Sequence, residues 1–311
     1  MNKKDKIVVG ISLGDANGVG IEVILKTFED KRMLEFCTPV LFGSKKIISI
    51  HKKILNIETT VQEIHSIDQI IHGKINILTI WEEDVAIEIG NATKTGGLYA
   101  YKSLNQATQS LKNENIDVLI TAPINKETIQ SDEFNFSGHT EFLEHNLEGE
   151  SLMILMNDFL RIGLITGHIP ISKIAETITP ELIERKVNIL NQSLKKDFNI
   201  NKPKIAVLGL NPHSGDNGVI GNEENNLIEP TIKSINENGI LVFGPYAADG
   251  FFGSETYKQF DGVLAMYHDQ GLAPFKALTF GNGVNLTAGL SHVRTSPDHG
   301  TAFDISGKGV A

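Results

Sequence analysis

Residues 204–218 read KIAVLGLNPHSGDNG, an apolar run rich in β-branched residues that breaks at Asn211 and Pro212 into turn chemistry and delivers His213. The same pattern recurs at 164–171, LITGHIPI, and at 264–276, LAMYHDQGLAPFK, so that His168 and His268 also stand where an apolar run ends. Continuously apolar runs of this length are what parallel strands covered on both faces require. In an open α/β sheet such strands end at one crevice, and side chains from separate strand-to-helix turns meet there however far apart they are in sequence. Three imidazoles make a metal seat for Zn, Co, Ni or Fe, with a coordination position left for water or substrate. A single histidine near a turn is more often solvated or hydrogen-bonded; the repetition is what favours ligation.

Outward from these three runs, KIVVGIS, TPVLFG, INILTI, DVLITA, SLMILM and GVLAMY also read as strands, and LITGHIPI extends a strand that begins at LRIGLIT. Amphipathic stretches fall between many of them. The clearest helix starts with Thr179 as N-cap and Pro180 at its first position and puts Ile183, Val187, Leu190 and Leu194 on one face; a second carries Leu104, Ala107 and Leu111. The alternation predicts an α/β fold with a mixed, mostly parallel sheet. SLMILM and LRIGLIT depart from it: only Asn157, Asp158 and Phe159 separate them, which predicts an antiparallel hairpin. Repeats, low-complexity tracts and Pro/Ser-rich linkers do not occur, so a boundary between lobes has to come from topology.

A chain of 311 residues is long enough for two lobes or one large domain. No stretch approaches the ~20 apolar residues of a membrane helix. The opening MNKKDKIVVGISLGD faintly mimics a secretory signal, but its apolar part is short, interrupted by Gly10, Gly14 and Asp15, and better read as a first strand. Cys37 is the only cysteine, which excludes an internal disulfide and suits a reducing cytoplasm. The net charge of −10 argues against nucleic acid as a partner, whereas a small anion needs only local positive charge.

GDANGVGIE, entering a helix after the first strand, could pass for a phosphate loop. Its glycines at 14, 18 and 20 do not satisfy the dinucleotide fingerprint, and Asp15 and Glu22 would repel phosphate, so a tight strand-to-helix turn is the expectation. SGHTEFLEH places His139 and Thr140 at a helix start, where anions are favoured, although Thr140 could serve only as a cap. Further on come Lys276, Asn285 in GNGVNLTAG, and Arg294 in SHVRTSPDHG, one of four arginines in the chain. Lys and Arg together bind carboxylate or phosphate; each alone is ordinarily a solvated surface charge.

Taken together, SLGDANGVGIE, SGHTEF, TGHIPI, GLNPHSGDNGVIGNEE, MYHDQGLAPFK and VNLTAGLSHVRTSPDHGTAFDISGKG resemble the 4-hydroxythreonine-4-phosphate dehydrogenase family of vitamin B6 (pyridoxal phosphate) synthesis, in order, from about Val8 to Gly309. Where the family usually has proline this chain has Ala16 and Ile21, the mark of a divergent member. The chain stops soon after GKG where the family continues into a last helix, which implies a missing C-terminal piece.

The resemblance implies a fold like isocitrate and isopropylmalate dehydrogenases, with two α/β lobes and the active site in the cleft between them. The lobes are expected at 1–135 plus about 275–311, and at 136–274 with the dimer interface. These folds bind NAD without the glycine fingerprint, so NAD or NADP is implied with no residue assigned to it. One divalent metal per site, Zn, Mg or Co, is implied on His168, His213 and His268, with His268 from the partner subunit of a homodimer. Substrate is implied on His139, Thr140, Lys276, Asn285 and Arg294. The implied reaction oxidises 4-phosphooxy-L-threonine at C3 and decarboxylates it to 3-amino-2-oxopropyl phosphate. Lys276 and Asp249 are the candidate proton acceptors, the alternatives being phosphate binding for Lys276 and a helix cap for Asp249. Two other readings stay open: a paralogue acting on 4-phospho-erythronate or 4-phospho-threonate, and a zinc hydrolase, which three histidines alone would suggest.

Overall fold

The computed structural model describes residues 6–311; the basic residues Lys3 and Lys4 that gave the opening its signal-like look lie outside them. The chain forms two compact units, Met1–Glu148 with Ser291–Ala311, and Gly149–Leu290. The sequence reading put the breaks near 135 and 275. Helix His139–Asn146 stays with the first unit, and strand Val284–Leu290 belongs to the second because it pairs antiparallel with Gly149–Met156.

In the first unit, β1 (Ile7–Ser12), β2 (Cys37–Gly43), β3 (Val61–Ile64), β4 (Ile75–Thr79), β5 (Val118–Thr121) and β12 (Val293–Pro297) run in the order β3-β4-β2-β1-β5-β12. Every pair is parallel. Val9, Ile11, Leu41 and Ile77 are buried on these strands, and Ile21, Leu25, Ile47 and Ile48 from α1 (Gly20–Thr27) and α2 (Lys45–Leu55) pack into the same core. On α3 (Lys94–Lys112), Leu104, Ala107 and Leu111 are all buried, the face expected from their spacing. The turn after β1 is the tight turn its sequence predicts. Asp15 N donates to Pro123 O and Gly18 N to Asp15 O, and Gly14 takes φ 65° where a side chain would strike the Pro123 carbonyl.

The second unit holds β6 (Gly149–Met156), β7 (Arg161–Leu164), β8 (Lys204–Leu208), β9 (Leu241–Tyr246), β10 (Gly262–Ala265) and β11 (Val284–Leu290), in the order β11-β6-β7-β10-β8-β9. Pairs β11–β6 and β6–β7 are antiparallel, the latter being the predicted hairpin; β7–β10, β10–β8 and β8–β9 are parallel. Helix α5 (Pro180–Lys196) begins as its sequence predicts, with the Thr179 hydroxyl accepting from Leu182 N at 3.2 Å and Ile183, Val187, Leu190 and Leu194 buried. Helix α6 (Glu229–Glu237) lies against β9, α7 (Ala248–Gly253) follows it, and α8 (His268–Thr279) leaves the turn after β10 and buries Leu272 and Phe275. Among the described residues no helix is long and apolar enough to cross a membrane.

Candidate active site

The first unit gathers an anion pole at the C-terminal end of β5. Arg294, on β12, is a buried strand residue with 2% of its surface exposed, which removes the solvated reading of this side chain. Its Nε and Nη2 both donate to the Thr121 hydroxyl, at 3.0 and 2.5 Å. Burial pulls the guanidinium pKa down to about 9, with the Glu141 carboxylate acting the other way. A buried guanidinium favours an anion beside it, because burial penalises the lone positive charge.

His139 and Thr140 open α4 (His139–Asn146), where Gly138 is the N-cap and no side chain caps the helix; Thr140 is therefore not the cap. Nε2 of His139 is sealed from solvent and has no hydrogen-bond partner. Burial, with Arg294 and Lys126 adding positive charge nearby, holds the imidazole well below the usual histidine range and hence neutral. The linkage has a definite sign. The unfolded chain protonates His139 near its ordinary value of 6.5 while the folded chain resists, so stability falls as pH drops below about 6.5. Buried His51, whose pKa is also lowered by desolvation, adds in the same direction. Urea midpoints measured from about pH 7.5 to 5.5 should decline, and less steeply in His139→Gln; a flat wild-type profile would contradict the neutral assignment.

The second unit carries the three histidines at the ends of β7, β8 and β10. His168 and His268 are neighbours, with ring centroids 5.2 Å apart and planes tilted by 44°. Nδ1 of His268 is bonded to Asp269 Oδ1 at 2.7 Å, so that Nε2 is the ring nitrogen a metal would meet, with a carboxylate behind the ring as in many metal-binding histidines. His213 sits in an unusual turn. Residues His213 to Asn217 all take left-handed backbone angles, φ 53°, 54°, 78°, 45° and 52°, of which only Gly215 adopts them without penalty. Buried Glu224 ties this turn down: its carboxylate accepts from Leu210 N and Asn211 N, both at 2.7 Å, and from Asn211 Nδ2 at 2.9 Å. The Ser214 hydroxyl donates to Pro245 O at 3.2 Å.

The donor set suits a divalent metal in kind, since two adjacent imidazoles, one with a carboxylate behind it, are zinc-type ligands. Among the described residues, no group of three His, Cys, Asp or Glu side chains converges within the chain. The resemblance puts His268 in a partner subunit; within this chain it is His168 and His268 that are neighbours, and His213 does not join them in a cluster of three.

The remaining candidates are spread over the second unit. Lys276 is exposed on α8, eight residues and about 12 Å along the helix from His268. Asn285, on β11, has a buried Oδ1 without a partner. Asp249 is exposed in the first turn of α7 and is not its cap, which is Ala247. A nucleotide seat is not marked by the turn after β1. Asp15 is buried there, and side chains at Gly14, Gly18 and Gly20 would meet Pro123, Thr301 and Ala122, so these glycines serve packing of the chain on itself. Thr121, Glu224 and Asp269 escaped the sequence reading. Thr121 carries the same signal as the histidines, a polar residue ending an apolar strand.

The family model for pyridoxal phosphate biosynthetic protein PdxA matches residues 35–311. The chain belongs to the PdxA family. It is 50% identical to the 4-hydroxythreonine-4-phosphate dehydrogenase of Bacteroides thetaiotaomicron, over 99% of this chain and 85% of that protein. It is also 37% identical to a putative D-threonate 4-phosphate dehydrogenase of Oceanobacillus iheyensis, covering 100% and 94%. The crystal structure of the Klebsiella pneumoniae 4-hydroxythreonine-4-phosphate dehydrogenase matches with a TM-score of 0.85 at 30% identity, over 100% of this chain and 95% of that one. The fold is thus the α/β, isocitrate/isopropylmalate dehydrogenase-like class expected of PdxA members.

Proposed function

We propose that this PdxA-family chain is a cytoplasmic, homodimeric dehydrogenase of pyridoxal phosphate synthesis that oxidises 4-phosphooxy-L-threonine at C3 and releases CO2 to give 3-amino-2-oxopropyl phosphate. The observation that carries the reading is the buried Arg294 guanidinium, bonded to the Thr121 hydroxyl and near enough to His139, the first residue of α4, to act on its imidazole. That pole suits a doubly anionic substrate.

Arg294 and the first turn of α4 bind one anionic end, and Thr140 adds a hydroxyl there. Neutral His139, with an unpartnered Nε2, exchanges a hydrogen bond with the bound substrate without adding charge. The orphaned Oδ1 of Asn285 accepts from a substrate N–H or O–H, which relieves a buried unmade bond. Lys276 or Asp249 takes the proton of the C3 hydroxyl. When bound, NAD or NADP supplies the hydride acceptor, and a divalent Zn, Mg or Co ion at His168, His213 and His268 supplies Lewis-acid polarisation of the hydroxyl.

A second reading, oxidation of an amine-free phosphorylated sugar acid, is favoured by the identity to the Oceanobacillus protein. NADH formation by the purified protein separates the two: 4-phosphooxy-L-threonine is expected to be the better substrate, and turnover confined to D-threonate 4-phosphate or 4-phospho-erythronate would replace the first reading with the second. Phosphate or ester hydrolysis without NADH would overturn both.

A further inference from the structure

We propose that Lys126 is a further substrate-binding residue, which closes with Arg294 and the open first turn of α4 on the phosphate of the substrate. The inference rests on the anion-pole reading above and adds a residue to it. Lys126 lies in the turn that follows β5, five residues beyond the Thr121 hydroxyl that holds Arg294. Asn125 fixes that turn, its Oδ1 accepting from the backbone N–H groups of Glu127 and Thr128 at 3.1 and 2.9 Å. The Lys126 stem is thereby laid over the start of α4, with Cε 3.7 Å from the point where a side chain on Gly138 would begin. Gly138 leaves that point empty, and no side chain caps the helix.

Three features therefore meet at one place: the exposed Lys126 ammonium, the uncapped helix start, and the sealed, unpartnered Nε2 of His139, on which both Lys126 and Arg294 act. The Glu141 carboxylate, with Oε2 3.5 Å from the same empty point, acts on Arg294 with the opposite charge. A carboxylate has two oxygens to offer. A phosphate dianion has three and matches a guanidinium fork, a point-charge ammonium and backbone N–H groups together.

The test uses Lys126→Met with 4-phosphooxy-L-threonine, its dephosphorylated counterpart 4-hydroxythreonine, and inorganic phosphate. KM for the phosphorylated substrate should rise about 10- to 100-fold with kcat held within about threefold, as expected for loss of one charged hydrogen bond made equally in ground and transition states. KM for 4-hydroxythreonine should not change, the thermal shift induced by inorganic phosphate should be lost, and Lys126→Arg should restore most of both. An equal rise for both substrates would mean a structural or carboxylate-binding role and would overturn the assignment, as would no change in either. If the wild-type protein turns over neither substrate, the functional reading fails by itself. The phosphate shift then still decides Lys126: a shift that survives Lys126→Met overturns the proposal, and one that disappears supports it.

Discussion

Single replacement of His168, His213 or His268 by alanine should lower turnover by about 10³-fold, because a catalytic metal contributes several kcal/mol of transition-state stabilisation. The same variants should melt within a few degrees of wild type. His168 and His213 are exposed, and the His268 side chain retains 35% of its surface, so each truncation removes little buried apolar area. Metal content and turnover measured together check the expectation. A metal-depleted variant that keeps full turnover would remove that histidine from the seat and leave the adjacent His168 and His268 rings as surface neighbours only.

Replacement of Glu224 by alanine should act in the opposite manner, through stability first. Glu224 is buried at 2% exposure and is the acceptor for two backbone N–H groups and one side-chain amide. Its loss strands those donors inside the second unit and frees a turn in which four non-glycine residues each sit about 1–2 kcal/mol above their relaxed conformation. The expected cost is about 3–5 kcal/mol, or roughly 10 °C in melting temperature for a unit of this size. Calorimetry of Glu224→Ala beside His213→Ala makes the comparison. Equal, small shifts in both would show that the left-handed turn holds itself and does not need the carboxylate.

The physics that made part of this molecule legible also explains what stayed hidden. KIAVLGL and its seven companions all became strands because a strand covered on both faces must be apolar throughout, and the chain announces that directly. VQEI, LVFGPY, VNLTAGL and VRTSP became β3, β9, β11 and β12 without that signal, since each is short, polar or half exposed. β12 hid best: a strand of five residues with an arginine in it reads as a loop, and only pairing with β5 explains how Arg294 is buried. The histidines were readable from their places at strand ends. Glu224 was not, because NEENN looks like a solvated charge run, and what buries it is the return of residues 210–215 over its carboxylate, a contact that no local pattern encodes.

The first unit is assembled from both sides of the second: its sheet takes five strands from residues before 149 and a sixth, β12, from residues 293–297. On the ribosome, where domains fold as units in the order they emerge, the contiguous second unit has all its strands before the first has its last one. Arg294 arrives with that last strand. A chain released before residue 291 would keep the three histidines and Glu224 on a unit whose every strand is present, and would keep Lys126 and α4, yet lack Arg294 and the last strand of the first unit, so premature termination yields a protein whose second unit is whole and whose first is missing its buried guanidinium.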